Sequence, residues 1–241
     1  MPKRPVSKGA EALLEVSQPV LDKGFVRLVD YMGNDAAIVQ AARVSYGEGT
    51  KSIREDEGLI RYLWKNKHTS PFEMLEVKLH CKMPIFVARQ WVRHRTAALN
   101  EVSARYSEMK EEFYVPEIWR LQGGKGGGNR QGSAGELNRL SSSTASHQTK
   151  AMANATFRLY TQLLHDGVAR EQARMVLPVN LYTEWYWKID LHNLLHFLTL
   201  RTDDHAQWEI RQYACAIALI VEAWVPVVSR VWMEGLGEGK G

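Results

Sequence analysis

Between residues 75 and 83, Leu75, Val77, Leu79, Cys81 and Met83 alternate with Glu76, Lys78, His80 and Lys82. A period of two sends the apolar set to one face of an extended chain and predicts a half-buried strand. The aromatic run NLYTEWYWKI (180–189) predicts another strand, and PVLDKGFVRLV (19–29) predicts an opening strand or strand pair. Elsewhere the period lengthens to that of a helix. Asn34 is placed to cap a helix through AAIVQAARVS, and a second helix is predicted from about Arg54 to Lys67. The latter opens on acidic residues and ends on lysines, as the helix dipole favours. SPFE at 70–73 reads as a capping box, with Ser70 as cap, Pro71 at the first helical position and Glu73 reaching back.

Pro84 then opens a helix, IFVARQWVRH, and SARYSEMKEEFYV (103–115) reads as extended. The chain turns helical again from about His147, followed by a short helix REQARMVL (170–177) and Pro178. A helix capped by Asp190 and a long final helix over HAQWEIRQYACAIALIVEAW (205–224) complete the pattern. Strands interleaved with helices suit an α/β (mixed α+β) fold, with length for one large domain or two small ones. Its expected bounds are residues 19–228, with a flexible leader at 1–18 and a tail at 229–241. Residues 122–146, rich in Gly and Ser, read as a flexible surface insertion without the spacing of a phosphate-binding fingerprint.

Composition narrows the class rather than the function. With 241 residues, 45% hydrophobic and 24% charged, the chain reads as an ordinary globular protein. No apolar run is long enough for a membrane span, and the N-terminal segment has no secretory signal pattern, which predicts a cytoplasmic location. Cys81 and Cys215 are too few for a disulfide framework and belong to no zinc pattern. Both fall among apolar residues and read as core cysteines, hence poor nucleophiles. A net charge of +4 is compatible with phosphorylated ligands or nucleic acid and decides neither.

The densest chemistry lies in RHRTAALNEVSARYS, residues 93–107, which gathers Arg93, His94, Arg95, Glu101, Ser103 and Arg105. Guanidinium groups so close together repel unless an anion joins them, and bidentate pairing makes phosphate a suitable anion. Glu101 and Ser103 add an acceptor and a donor suited to a sugar or a base edge. On residues alone, a surface network pairing these arginines with Glu108, Glu111 and Glu112 explains them equally well. His192 and His196, four apart on a predicted helix, suggest a metal pair, but Asn193 follows where a zincin has glutamate. Tyr182, Trp185, Tyr186 and Trp187 suit a base-stacking platform, or more simply core and subunit interface. A nucleic-acid-binding protein is the rival class, although lysines are scattered rather than striped.

The order RHR, seven residues, then Ser resembles the signature of flavin-dependent thymidylate synthases. So do LVDYMGND, AARVSY, HTSPFE, PIFVARQWVRHR, NEVSARYS, REQARMVLP, NLYTEWYW and LRTDDHAQWEI, in the same order and over residues 20–225. The resemblance implies an α/β enzyme of that type, one domain with a central sheet and flanking helices, assembled as a homotetramer with active sites shared between subunits. It implies FAD as cofactor, with NADPH and methylenetetrahydrofolate as co-substrates and dUMP as substrate; neither membrane nor nucleic acid is an expected partner, and no metal is implied. Carried over by position, Ser45, Ser70, Glu73, Arg93, His94, Arg95, Glu101, Asp190, His192 and His196 contact the cofactor, and His68 lies near it. Many members carry Thr at the position of Ser70 and Asn at that of Asp190. Gln90, Arg93, Glu101, Ser103, Arg105, Arg174 and Arg201 match dUMP-binding positions. Arg201 is the one implied to be catalytic, by stabilising charge on the pyrimidine without any cysteine nucleophile.

Overall fold

The structure, a computed structural model, describes residues 5–44, 53–123 and 133–238. The chain opens with α1 (Lys8–Leu13), β1 (Ser17–Val20), β2 (Gly24–Met32), α2 (Asp35–Arg43), α3 (Ile53–Lys65) and α4 (Ser70–Glu73). It continues through β3 (Glu76–Pro84), α5 (Ile85–Trp91), β4 (Ala98–Glu101), β5 (Arg120–Gln122), β6 (Ser133–Glu136) and α6 (Arg139–His165). α7 (Arg170–Ala173), β7 (Tyr182–Asp190), α8 (Leu191–Arg201), α9 (Trp208–Trp224) and α10 (Pro226–Glu238) complete it.

Five strands form one antiparallel sheet in the order β1-β2-β3-β7-β4, and β5 and β6 pair separately. The alternation read in the sequence sets the two faces. Leu79 lies opposite Leu28 and Trp187, and Cys81 opposite Val26 and Trp185, all buried under the helices. On the other face His80 lies opposite Arg27 and Tyr186, and its ring stacks on Tyr186 at 4.8 Å. Lys82 there bonds Glu112 at 2.8 Å, so the polar face is joined by charge rather than covered.

Packing on the buried face centres on Trp91 of α5. Its ring stacks on Phe197 of α8 at 5.1 Å and meets Trp185 and Trp187 of β7 edge-on at 5.4 and 5.2 Å. Tyr213 of α9 adds a contact at 5.9 Å and donates its hydroxyl to the Lys82 carbonyl at 2.8 Å. Gly24 leaves room for that hydroxyl, since a Cβ there would lie 2.0 Å from it.

Both caps expected at Asn34 and Asp190 form: Asn34 accepts from the Ala37 N–H at 3.2 Å and Asp190 from the Asn193 N–H at 2.9 Å. The expected capping box does not. Thr69 is the capping residue of α4 without a side-chain bond, which leaves Ser70 and Glu73 exposed. α3 ends at Lys65, before the expected Lys67, because Lys67 adopts φ +56° and closes the helix.

Other readings need correction where packing, not periodicity, orders the chain. The leader holds α1, capped by Ser7, whose hydroxyl also donates to the Trp224 carbonyl at 2.8 Å. Gly9 lets α1 approach α9 so closely that a Cβ would lie 2.1 Å from the Ala223 carbonyl oxygen. The stretch 103–115 is not a strand: the Tyr106 and Ser107 N–H groups turn back to the Ser103 carbonyl, and only Phe113 bridges Leu181. The extended segment lies earlier, at β4, where every residue is exposed and no alternation marks it. Within 122–146, β6 and the start of α6 are ordered, and residues 124–132 lie outside the described residues. Asn138 caps α6 while Ser142 and Ser146 accept from the Trp119 backbone and indole N–H groups at 3.1 and 2.9 Å. Serines do that packing, so the helix start lacks an apolar signature.

Residues 229–238 belong to α10, whose Val228, Val231 and Trp232 are buried. The Asp35 carboxylate accepts from the Val227 and Val228 N–H groups at 3.3 and 3.0 Å and caps it across the fold. Cys215 lies on the outer side of α9 and is exposed, against expectation; Cys81 is buried as expected. Among the described residues no helix is long and apolar enough to cross a membrane.

Removing the central indole tests how far the fold hangs on it. Trp91→Ala is expected to destabilise the protein by about 3–5 kcal/mol, as for other buried Trp truncations. Chemical denaturation of the purified variant reads this directly, and a loss below about 1 kcal/mol would show that α5 is held elsewhere.

Candidate active site

The residues singled out from the sequence fall at three places. Gln90, on the last turn of α5, and Arg201, at the end of α8, line one cavity of about 990 Å³ together with Phe86, Tyr114, Arg120 and Trp208. Glu101, Ser103 and Arg174 line a second of about 350 Å³, with Thr183 and the apolar Ile85 and Leu181. His68 and His192 line a third of about 560 Å³ with Trp64, Phe72 and Val231. Ser70, Glu73 and Asp190 are sequence neighbours of that lining, whereas Ser45 lies outside the described residues.

In the first cavity Arg201 donates its Nε–H to His94 Nε2 at 3.0 Å. Burial lowers its pKa somewhat, and among the described residues it forms no ion pair with a carboxylate. Gln90 lines the same cavity, and its Oε1 is buried without a hydrogen-bond partner among the described residues. His94 itself is pressed against the edge of Phe197 at 4.9 Å, with His196 at 6.4 Å. Burial first, then the charge of Arg201 and the nearby His196, push its imidazole down to about 4.

In the second cavity Glu101 accepts from the Thr183 hydroxyl at 2.6 Å, and Ser103 accepts from the Arg105 N–H at 3.2 Å. Arg174 is exposed and donates Nε–H to the Glu171 carbonyl at 3.3 Å. Arg105 pairs with Glu171 at 3.8 Å and does not line the cavity.

The alternative of a surface ion-pair network is not what forms. Glu108 pairs with Arg170 and Glu112 with Lys82, while Arg93 and Arg95 are exposed and have no carboxylate partner among the described residues. Nor do the histidines of α8 converge on a metal: His192 lines the third cavity, His196 faces His94, and no metal-binding group of three side chains occurs among the described residues. Trp185 and Trp187 are core, and only Tyr186 of the aromatic run is exposed. Sequence reading missed Thr183, Tyr114, Arg120 and Trp208. Thr183 sits buried within a strand, and Arg120, whose guanidinium lies 5.0 Å from the Trp208 ring, comes from the short β5–β6 pair. No local pattern marks either one.

An antiparallel sheet under helices, with arginines free to meet an anion, defines the class, and comparison with known proteins narrows it. Residues 27–227 match the family described as thymidylate synthase complementing protein, and the chain belongs to that family. Its relatives are flavin-dependent thymidylate synthases. One from Thermus thermophilus is 61% identical over 92% of this chain and 80% of its own length. One from Ehrlichia ruminantium is 52% identical over 96% of this chain and 78% of its own. A crystal structure of the UMP/dUMP methylase PolB from Streptomyces cacaoi, bound with 5-Br dUMP, superposes with a TM-score of 0.80 at 34% identity, covering 90% of this chain and 97% of that one.

The electrostatics of His94 make a prediction. Its imidazole is expected to titrate near 4 rather than 6.5 in an NMR titration. A folded-state pKa below the unfolded value means that its contribution to stability is complete above about 6.5 and is lost as pH falls through about 4. Arg201→Ala removes one cause and should move the midpoint upward. A midpoint near 6.5 in the unsubstituted protein would contradict the burial described.

Proposed function

We propose that this chain methylates dUMP to dTMP with methylenetetrahydrofolate as carbon donor, as a cytoplasmic homotetramer. The observation that carries the reading is that an amide, Gln90, and a cation, Arg201, line the same cavity. A uracil edge presents the complement, an N3–H donor beside the O4 acceptor. The superposition on a methylase holding a 5-bromo dUMP supports the same substrate class.

Methylation at C5 needs a nucleophilic ring, and no cysteine is suited to create one. Cys81 is fully buried and burial pushes its thiol well up, while exposed Cys215 lines none of the three cavities. Arg201 takes the role instead: a guanidinium at the pyrimidine stabilises negative charge spread from N3 to O4 and raises electron density at C5. A preorganised donor of this kind contributes about 3 kcal/mol to lowering the barrier.

Arg93 and Arg95, cationic and unpaired with carboxylate among the described residues, suit the diphosphate of FAD, and Arg93 also reaches the nucleotide. The cavity of His68 and His192, floored by Trp64 and Phe72, suits a flat ring, with Ser70, Glu73 and Asp190 beside it. When bound, FAD reduced by NADPH supplies the hydride that completes the methyl group. Glu101, Ser103 and Arg174 bind dUMP from their own cavity, with Arg105 outside its lining, and that cavity shares no lining residue with that of Gln90 and Arg201. That separation supports active sites completed by a second protomer.

Three results test this. The purified protein should show a flavin band that bleaches on anaerobic NADPH addition, faster with dUMP present; a band indifferent to dUMP overturns the substrate. Arg201→Ala should keep flavin and lose dTMP formation by about 100-fold or more. Full activity in that variant removes the proposed role of the arginine. Arg174→Ala and Arg201→Ala, each inactive alone, should recover activity when co-assembled, since some sites then draw both intact residues from different protomers. No recovery would place both residues in one protomer's site.

A further inference from the structure

The His94–Arg201 contact asks for more than cofactor binding from the histidine. Arg201 donates from Nε, the nitrogen that joins the guanidinium to its aliphatic stem, so this one bond fixes the plane of the group. Both terminal nitrogens are left for a ligand. His94 is held for the task. Its ring lies edge-on to Phe197, and its backbone N–H donates to the Trp91 carbonyl at 3.0 Å. Phe197 and Arg201 are four apart on α8 and so share a face.

The chemistry of the acceptor also matters. A carboxylate on Nε would hold the arginine but cancel much of its charge. A neutral imidazole holds it and leaves the whole positive charge to act on a ligand. Accepting at Nε2 puts the His94 proton on Nδ1. Burial, then Arg201 and His196 from α8, disfavour a second proton on the ring, while Arg93 and Arg95, its neighbours in the chain, are exposed.

From this geometry we infer that His94 is a positioning residue, the neutral acceptor that orients Arg201 for the pyrimidine, whatever contact it also makes with the flavin. This rests on Arg201 acting on dUMP as set out above. His94→Leu removes the acceptor and His94→Gln retains one; each is made in the unsubstituted enzyme and in Arg201→Lys, which keeps the cation but lacks the Nε–H. Steady-state kcat, KM for dUMP and bound flavin per chain are measured for every variant.

His94→Leu is expected to lower kcat per bound flavin about 10- to 100-fold, the range for losing a hydrogen bond to a charged group. His94→Gln should restore much of that rate. In the Arg201→Lys background His94→Leu should add little further loss, because the bond is already gone. Should His94→Leu fail to fold, His94→Asn, whose shorter amide does not reach Nε, takes its place. An equal loss of rate per bound flavin in both backgrounds, or no recovery with Gln, would overturn the inference. Full activity in Arg201→Lys would instead strike at the role given to the arginine itself.

Discussion

Trp91 sits where four elements converge, and its indole is the contact on which the rest of the arrangement hangs. It touches β7 through two tryptophans, α8 through Phe197 and α9 through Tyr213. A large rigid ring with several aromatic neighbours admits few alternative packings, so fixing it fixes the relative position of all four elements. The chemistry is attached directly to that anchor. Gln90 precedes Trp91, His94 follows three residues later, and Arg201 lies one turn beyond Phe197. A polar site is thus built on the rim of an aromatic core, where its side chains are half-buried and held, yet open to a cavity.

The electrostatic design follows from that placement. Near the core, ionisation of His94 is disfavoured, and a neutral imidazole is what can accept a bond from a guanidinium. The arginine and the histidine therefore stabilise one another's protonation state: the cation discourages a second proton on the ring, and the ring's lone pair orients the cation. Arg93 and Arg95, a residue away on either side, are exposed instead. One motif of three residues thus faces in two directions, its middle member toward the rim of the core and its outer members toward solvent. The opposite face of the sheet uses charge differently, joining β7 to β3 through Lys188–Glu76 and tying the loop residue Glu112 to Lys82.

Much of this was legible along the chain. The alternation of β3 and the aromatic run of β7 each expressed a buried face, and Asn34 and Asp190 announced the helices they cap. The clustered arginines pointed to an anion, and their company in RHR and the following Ser pointed to a family that comparison bears out. Less legible was anything held by polar or close backbone contact. α1 depends on Gly9 meeting α9, α6 begins on serines bonded to Trp119, and α10 takes its cap from Asp35 far earlier in the chain. Helix α9 is apolar enough that its one exposed cysteine was indistinguishable from its buried neighbours.

By itself, then, the sequence determined the types of element, the inward faces of the central strands and the chemical inventory of the site, because these are written in local period and residue type. Only the tertiary structure decided that His94 would meet Arg201 across 107 positions of chain. It also divided the residues proposed to bind the nucleotide between two cavities and turned Cys215 outward. Those outcomes depend on how α5, α8 and α9 settle around one indole, and contacts between distant segments leave no periodic trace in either of them.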